Sequence, residues 1–322
     1  MINQIKQYAI GVDIGGTNTK FGLVNHRGEI SYNDRMPTNI YATAESFVEA
    51  LYAALLPAIE EVGKENIKGI GVGAPNANYF TGCIVNAPNL NWKGVVPFAN
   101  LITEKFGLPC SITNDANAAA VGEMIYGAAK GMKDFIVITL GTGVGSGILS
   151  GGGLIYGHDG FAGELGHTMI RPGGRLHWST GLYGTLESYA SATGIAITAK
   201  EKLAESDQQS LLREYPEDAI DSKAVYDCAM KGDALAQEVY AFTGQILGEA
   251  LANFVMFSSP EAIILFGGVT KAGDMLLNPV REHMEKNLLA VFRNKVLITF
   301  SELNEADAAI LGASALVWAM QS

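Results

Sequence analysis

The fold is decided by residues 12–24, VDIGGTNTKFGLV, where one acid precedes a glycine turn between two β-rich runs. A glycine pair between strands most often forms a plain hairpin, because glycine readily adopts positive φ. The same turn exposes backbone N–H groups that can hold a phosphate. The residues predicted to do so are Gly15, Gly16, Thr17 and Asn18. Asp13, at the end of the first strand, is a candidate ligand for a hydrated Mg²⁺ that offsets phosphate charge.

Length and composition limit the class of protein. A chain of 322 residues exceeds what one core usually supports, so we expect two domains with a cleft. Nearly half of the residues are apolar, without a long uncharged run, which is typical of a globular protein. A net charge of −11 argues against nucleic acid as a partner. Three scattered cysteines and a start without a signal peptide favour the cytoplasm.

Strands and helices alternate along the first part of the chain, which predicts an α/β lobe that opens with a β-meander. The predicted strands are 8–14, 19–25, 28–36, 67–73 and 109–113, and the predicted helices are 44–62, 97–106 and 115–126.

A similar pattern restarts at residue 135, where FIVITLGTGVGSGILSGGGLIYG repeats the order strand, glycine turn, strand, glycine turn, strand. A helical region follows, then a strand at 262–268, a strand KVLITF and a closing helix from about Asp307. The polar segment 200–238 is interpreted as a solvated helical insertion without functional residues.

The second glycine turn is Gly141, Thr142 and Gly143. Neither turn has the spacing of a Walker loop or of a dinucleotide fingerprint. Two lobes that each present a glycine hairpin can instead place N–H groups on a polyphosphate from two sides. A third element, Gly267 and Gly268 after a strand, permits close approach of a flat ligand such as adenine, although a plain strand-to-helix turn explains it equally well.

The segments DIGGTNTKFGLV, LGTGVGSGIL and FGGV, in this order, resemble the phosphate-1, phosphate-2 and adenosine motifs of the actin, Hsp70 and sugar-kinase superfamily. More narrowly, the chain resembles the ROK family of bacterial sugar kinases and repressors. The resemblance extends along nearly the whole chain, from VDIGGTN to DAAILGASAL at 307–316. The resemblance implies a two-lobed α/β fold of the actin-like ATPase (ribonuclease H-like) type, with duplicated β-meanders and a central cleft. We expect a sugar and phosphate lobe at 1–116 plus 305–322, and a nucleotide lobe with substrate-contacting loops at 117–304.

Transfer of a phosphoryl group to a hydroxyl needs a base for the hydroxyl proton. Asp115 lies where a strand gives way to a helix, and an isolated Asp there is more often an N-cap than a base. The resemblance of NDANAAAVGE to the family's catalytic motif implies instead that Asp115 is the base and that Asn114 holds a sugar hydroxyl.

The segments GELGH and TLESYAS resemble the family's sugar-contacting elements. This implies that Glu164, His167 and Glu187 bind sugar hydroxyls, and a looser match implies the same for Asn89. The segment GAPN ends in Asn76 where the family usually has glycine, which leaves the shape of that loop open.

Most ROK members carry C-x-C-G-x-x-G-C between these two segments, and its thiolates join a histidine in a structural zinc site. The aligned run here is 178–185, WSTGLYGT, without a cysteine. We therefore expect no structural zinc, and packing by Trp178, Tyr183 and His177 in its place.

The expected function is an ATP-dependent hexose kinase, with glucose as the leading substrate, its 6-hydroxyl as the acceptor, and ATP and Mg²⁺ as cofactors. Mannose, fructose, allose, N-acetylmannosamine or N-acetylglucosamine kinases are alternatives. A sugar-sensing repressor is another, although only seven residues precede the first strand where such proteins carry a helix-turn-helix. A chaperone-like ATPase is a third. The family also implies a homodimer or homotetramer.

Overall fold

The computed structural model describes residues 6–319. Its strands are β1 (Tyr8–Ile14), β2 (Asn18–Asn25), β3 (Ile30–Pro37), β4 (Ile67–Gly73), β5 (Ala77–Asn78), β6 (Cys83–Val85), β7 (Val95–Val96), β8 (Cys110–Thr113), β9 (Phe135–Leu140), β10 (Val144–Ser150), β11 (Gly153–Leu154), β12 (Ala262–Phe266) and β13 (Leu297–Phe300). Its α-helices are α1 (Ala44–Val62), α2 (Phe98–Phe106), α3 (Asp115–Tyr126), α4 (Glu187–Ala190), α5 (Ala192–Glu205), α6 (Ser222–Met230), α7 (Ala234–Ser258), α8 (Asp274–Asn287) and α9 (Ala308–Ala319).

The described chain divides into two compact units. The first unit comprises residues 6–133, 147–163 and 301–319, and the second comprises 134–146 and 164–300. Of the four boundaries, at 133/134, 146/147, 163/164 and 300/301, the second falls within β10.

The first unit is built on a five-stranded sheet in the order β3-β2-β1-β4-β8. The first three strands form an antiparallel meander, whereas β4 and β8 run parallel to β1. Helix α9 packs against this sheet where Gly11 and Gly71 lack side chains, and a Cβ at either position would overlap backbone of the helix. These glycines therefore allow the helix to approach the sheet, which carries the first glycine turn at the end of β1.

The second unit is built on β10, β9, β12 and β13 in that order, and the last three strands are parallel. Helix α7 is long and largely buried, and it packs along α8. A Cβ at Gly244 would lie 2.6 Å from Cγ of Pro279, so glycine is needed for this close helix pair. The sheet carries the second glycine turn between β9 and β10.

The expected meander, alternating strands and helices and glycine turns are all present, and the mixed α/β fold class is confirmed. Residues 153–157, the expected third strand of the second meander, contain only the two-residue strand β11, which pairs with the end of β10. The compact units also differ from the expected boundary at 116/117. Helix α3 belongs to the first unit because it packs closely on α9, where a Cβ at Gly122 would lie 2.8 Å from Cα of Gly312.

Within residues 6–319, no helix combines the length and the apolar character that crossing a bilayer requires.

Candidate active site

The first glycine turn is tight, and the amide of Gly15 donates to the carbonyl of Asn18 at 3.1 Å. Neither Gly15 nor Gly16 adopts positive φ, so backbone conformation does not account for the two glycines. Crowding explains them instead: a Cβ at Gly15 would lie 2.8 Å from the carbonyl oxygen of Asn18, and one at Gly16 would lie 2.9 Å from Cβ of Asn89. The predicted sugar residue Asn89 thus packs against the predicted phosphate turn, whose Thr17 is exposed.

Asp13 and Asp115 both lie next to Gly73. A Cβ on this glycine would be 3.5 Å from Cα of Asp115 and 3.6 Å from Oδ1 of Asp13. Burial, followed by the negative charge of Asp115, raises the pKa of Asp13 to about 7, against the opposing charge of Lys20. A divalent cation would relieve this charge, so the carboxylate chemistry of the pair fits Mg²⁺.

Asn114, rather than Asp115, caps helix α3. Its Oδ1 accepts hydrogen bonds from the amides of Ala116 at 2.7 Å and Asn117 at 3.3 Å. Asp115 is the first helical residue, and its exposed carboxylate accepts one bond, from the amide of Ala116 at 2.8 Å. Although Asp115 is accessible to solvent, the protein packed around its carboxyl group desolvates it and raises its pKa, against the effect of the backbone hydrogen bonds. Of the two alternatives for Asp115, N-cap or catalytic base, the first is therefore excluded, because Asn114 is the N-cap.

The second glycine turn lines a cavity of about 440 Å³ in the second unit. Gly141, Thr142 and Gly268, all predicted to bind nucleotide, contribute to its wall. A Cβ at Gly141 or Gly268 would have no atom of the described residues within 4 Å, so both glycines face open space. Gly267 beside them has φ of +109°, which favours glycine, and a Cβ there would lie 2.6 Å from the carbonyl oxygen of Leu140.

Helix α6 supplies another wall of this cavity, through Ser222, Lys223, Tyr226 and Asp227. The interpretation of 200–238 as a solvated segment is wrong for the inner face of this helix, where Val225 and Cys228 are buried. Sequence reasoning missed these residues because about 80 positions separate them from Gly141, and only the tertiary fold brings the two together.

The structure brings Glu164, His167 and Glu187 into one region of the second unit. Nε2 of His167 lies 3.8 Å from Oε2 of Glu164, and its ring lies 5.6 Å from that of His177. Nε2 of His177 in turn lies 2.6 Å from Oε1 of Glu187. The other carboxylate oxygen of Glu187 accepts the amide of Val144 at 2.6 Å, next to the second glycine turn. A Cβ at Gly143 would overlap that oxygen, so the turn and Glu187 fit together only with glycine.

Asn76 is the residue at which the GAPN segment departs from the family's usual glycine. Its φ of +52° lies in the left-handed region, which glycine adopts freely and asparagine tolerates better than most residues. The side-chain amide donates to the carbonyl of Val85 at 3.1 Å. The loop thus contains a left-handed residue at Asn76, and the side-chain amide of this residue ties the loop to Val85.

Comparison with known proteins places the chain among sugar kinases and their relatives. The model of the ROK family matches residues 9–320. The chain belongs to the ROK family.

This ROK chain is 36% identical to a glucokinase of Halalkalibacterium halodurans over 97% of its own length and 95% of that protein. It is also similar to the crystal structure of a ROK family glucokinase from Streptomyces griseus in complex with glucose and AMPPNP, with 33% identity, a TM-score of 0.78 and coverage of 96% of this chain and 98% of that one. A xylose repressor of Caldicellulosiruptor bescii is 29% identical over 96% of this chain and 77% of the repressor. The fold is therefore that of ROK sugar kinases.

The residues present do not fit the ROK zinc site. Its thiolate positions are occupied by Trp178, Thr180 and Thr185, which offer no soft anionic ligand. Within residues 6–319, one group of potential metal ligands comes together here, and it consists of His167, His177 and Glu187 without a cysteine. This group lacks the closed set of four N and S ligands of a structural zinc site.

Proposed function

We propose that this ROK chain is an ATP-dependent glucokinase, which transfers the γ-phosphoryl group of ATP to the 6-hydroxyl of glucose. The observation that carries the proposal is its likeness, over nearly the whole of both chains, to a glucokinase solved with glucose and AMPPNP. The glucokinase of H. halodurans supports the same substrate.

Asp115 is the proposed catalytic base. An exposed carboxylate that is not engaged as a helix cap can accept the proton of the sugar hydroxyl as the phosphoryl group is transferred. Desolvation raises its pKa, and a carboxylate with a raised pKa is a stronger proton acceptor than an ordinary one.

The nucleotide is proposed to lie on the two glycine turns. Backbone amides of Gly15–Asn18 and of Gly141–Gly143 would donate to the phosphate oxygens, where negative charge develops during transfer. The cavity of about 440 Å³ is large enough for adenosine, which would lie beside Gly268 and Tyr226.

Mg²⁺ would be held through Asp13 and would neutralise charge on the transferred phosphate. On the sugar side, the proposed ligands of the hydroxyl groups are Asn89, Asn114, Glu164, His167 and Glu187. Carboxylates and amides arranged for hydroxyls can reject analogues that lack them, which would give the enzyme its sugar specificity.

A homodimer or homotetramer is proposed from the family alone, and a location in the cytoplasm is proposed from the three scattered cysteines. The absence of a nucleic-acid partner is proposed from the net charge of −11.

A coupled assay over a hexose panel tests the function. It compares glucose, mannose, fructose, allose, N-acetylglucosamine and N-acetylmannosamine with Mg-ATP, and we expect the highest kcat/KM with glucose. A higher value for another sugar would refute glucose as the preferred substrate. The second candidate is a sugar-sensing regulator, which the similarity to a xylose repressor supports. It would be favoured if a sugar raised the melting temperature while no sugar of the panel was phosphorylated.

A further inference from the structure

Residues 175–184 form a β-hairpin that holds the lost zinc motif, and we call it the 175–184 hairpin. The amide of His177 donates to the carbonyl of Leu182 at 2.8 Å, and that of Gly184 donates to the carbonyl of Arg175 at 2.8 Å. Leu176 and Tyr183 pair between them. One bridge and two backbone hydrogen bonds thus close this short hairpin.

His177 is buried within this hairpin, with 2% of its surface exposed. Its Nδ1 accepts hydrogen bonds from the amides of Ser179 at 3.3 Å and Thr180 at 3.2 Å. A ring nitrogen that accepts from N–H groups carries no proton, so the neutral ring has its proton on Nε2. That Nε2–H therefore donates to Oε1 of Glu187 at 2.6 Å.

The three residues at the former thiolate positions each support this arrangement. The Trp178 ring stacks on His177, with centroids 4.2 Å apart. The Thr180 hydroxyl oxygen accepts the amide of Leu182 at 3.3 Å, and the Thr185 hydroxyl is hydrogen-bonded to that of Ser188 at 2.8 Å. Contacts of these side chains thus replace ligand bonds.

Arg175 fastens the start of the hairpin to the helices that follow. Its guanidinium donates to the carbonyls of Ser188 and Gly194, the latter at 3.2 Å, and it pairs with Glu201. It also lies over the ring of Tyr189, 4.6 Å from the centroid. The hairpin is therefore tied to α4, the helix that begins with Glu187.

The spacing of the donor atoms distinguishes a hydrogen bond from a shared metal. Two ligands of a tetrahedral zinc at about 2.0–2.1 Å would be about 3.3 Å apart. Nε2 of His177 and Oε1 of Glu187 are 2.6 Å apart, which is too close for two ligands of one zinc and near the roughly 2.7–2.9 Å of a charge-assisted hydrogen bond. Nδ1 of His167 is buried and has no hydrogen-bond partner among residues 6–319. If a metal did bind here, this nitrogen would be its expected ligand.

We propose that His177 is a positioning residue, which holds Glu187 for the sugar through Nε2–H and so replaces the zinc of the family. Since Oε2 of Glu187 is held by Val144, the hydrogen bond to Oε1 fixes the remaining rotation of the carboxylate. The kinetic part of this inference rests on the proposed glucokinase function, whereas the metal and tautomer parts do not.

Two measurements on the full chain test the proposal whether or not it phosphorylates glucose. Elemental analysis of protein loaded with zinc and then desalted should find much less than one zinc per chain. ¹⁵N NMR of the five histidines, with His177 assigned by its loss in His177→Gln, should find the tautomer protonated on Nε2. One tightly held zinc per chain, or a His177 protonated on Nδ1, would overturn the proposal.

Kinetics of His177 variants test the positioning role. His177→Ala should raise KM for glucose about 10- to 100-fold, because Glu187 loses a charged hydrogen bond, with a smaller change in KM for ATP. His177→Gln keeps an N–H donor and should recover part of the loss. His26→Ala, an exposed histidine on the β2–β3 turn, is the matched control and should leave both constants unchanged.

Folding of each variant is checked by its melting temperature and by circular dichroism, because Trp178 stacks on the replaced ring and its fluorescence would change with the substitution itself. A folded His177→Ala with the KM for glucose of the wild type would overturn the positioning role. So would equal losses in His177→Ala and His177→Gln. A wild-type protein without kinase activity would refute the proposed function, while the zinc and tautomer results would still decide the metal-free arrangement.

Discussion

Asp13 and Asp115 lie beside the same glycine, Gly73, and their mutual repulsion adds to burial in raising the pKa of Asp13 to about 7. Two acids packed together without a cation weaken a folded protein. The proposed chemistry gives both acids a role, since Asp115 accepts a proton and Asp13 holds a cation.

Asp13→Asn should stabilise the metal-free protein, and more so at high pH. Because the folded-state pKa of Asp13 is raised from 3.8 to about 7, the folded protein binds this proton more tightly than the unfolded chain, and stability falls as the pH rises through that interval. We expect a higher melting temperature for Asp13→Asn than for the wild type at pH 8, with a smaller gain at pH 5. The exposed Asp207→Asn is the control. An equal gain at both pH values would contradict the buried, charge-coupled state of Asp13.

The turnover rate should fall as the pH is lowered. The fall should begin at a higher pH than it would if the base were a carboxylate with an ordinary pKa. The pKa of Asp115 is raised by desolvation, and its base form is lost on protonation. The pH profile of kcat at saturating glucose and Mg-ATP measures this effect. A kcat that stays constant down to pH 4 would be incompatible with Asp115 as the base.

The two glycines of the second turn should respond differently to alanine. Gly143→Ala places a Cβ against Oε2 of Glu187, so we expect a lower melting temperature and a higher KM for glucose. Gly141→Ala meets open space and should fold normally, but its methyl group enters the cavity and should raise KM for ATP. Measuring both constants for both variants checks this contrast, and identical behaviour of the two would count against the described turn.

Helix α6 should contribute to nucleotide binding through Tyr226. Tyr226→Ala removes an aromatic wall of the cavity and should raise KM for ATP about tenfold, with KM for glucose little changed. Tyr215→Ala, whose side chain lines a different cavity of the same unit, serves as the control. The assignment of this cavity to adenosine fails if the two variants have the same KM for ATP.

Periodicity and motif order predicted most of the fold. Helix α1 was predicted at 44–62 and is found at Ala44–Val62, since its apolar residues recur at helical spacing. The capping residue of α3 could not be predicted, because Asn and Asp are about equally good N-caps and Asn114 and Asp115 are adjacent. The crowding of Gly16 by Asn89 could not be predicted, because it is a contact between residues far apart in the sequence.

The candidate site was predictable where motifs are local and not where the fold brings distant segments together. GELGH and TLESYAS pointed to Glu164, His167 and Glu187. The partnership of His177 with Glu187 depends on the hairpin between them, and the only signal in the sequence was a histidine next to the missing thiolates. Their roles toward substrate remain predictions.

The most direct test of the account is ³¹P NMR of the product formed from glucose and Mg-ATP by the wild type and by Asp115→Asn. We expect the wild type to form glucose 6-phosphate. Asp115→Asn should form it roughly 10²–10⁴-fold more slowly while it keeps its fold and its glucose binding, and Asp274→Asn, an acid at the start of α8, should match the wild type. A phosphate on another hydroxyl, or a folded Asp115→Asn with undiminished turnover, would contradict the account.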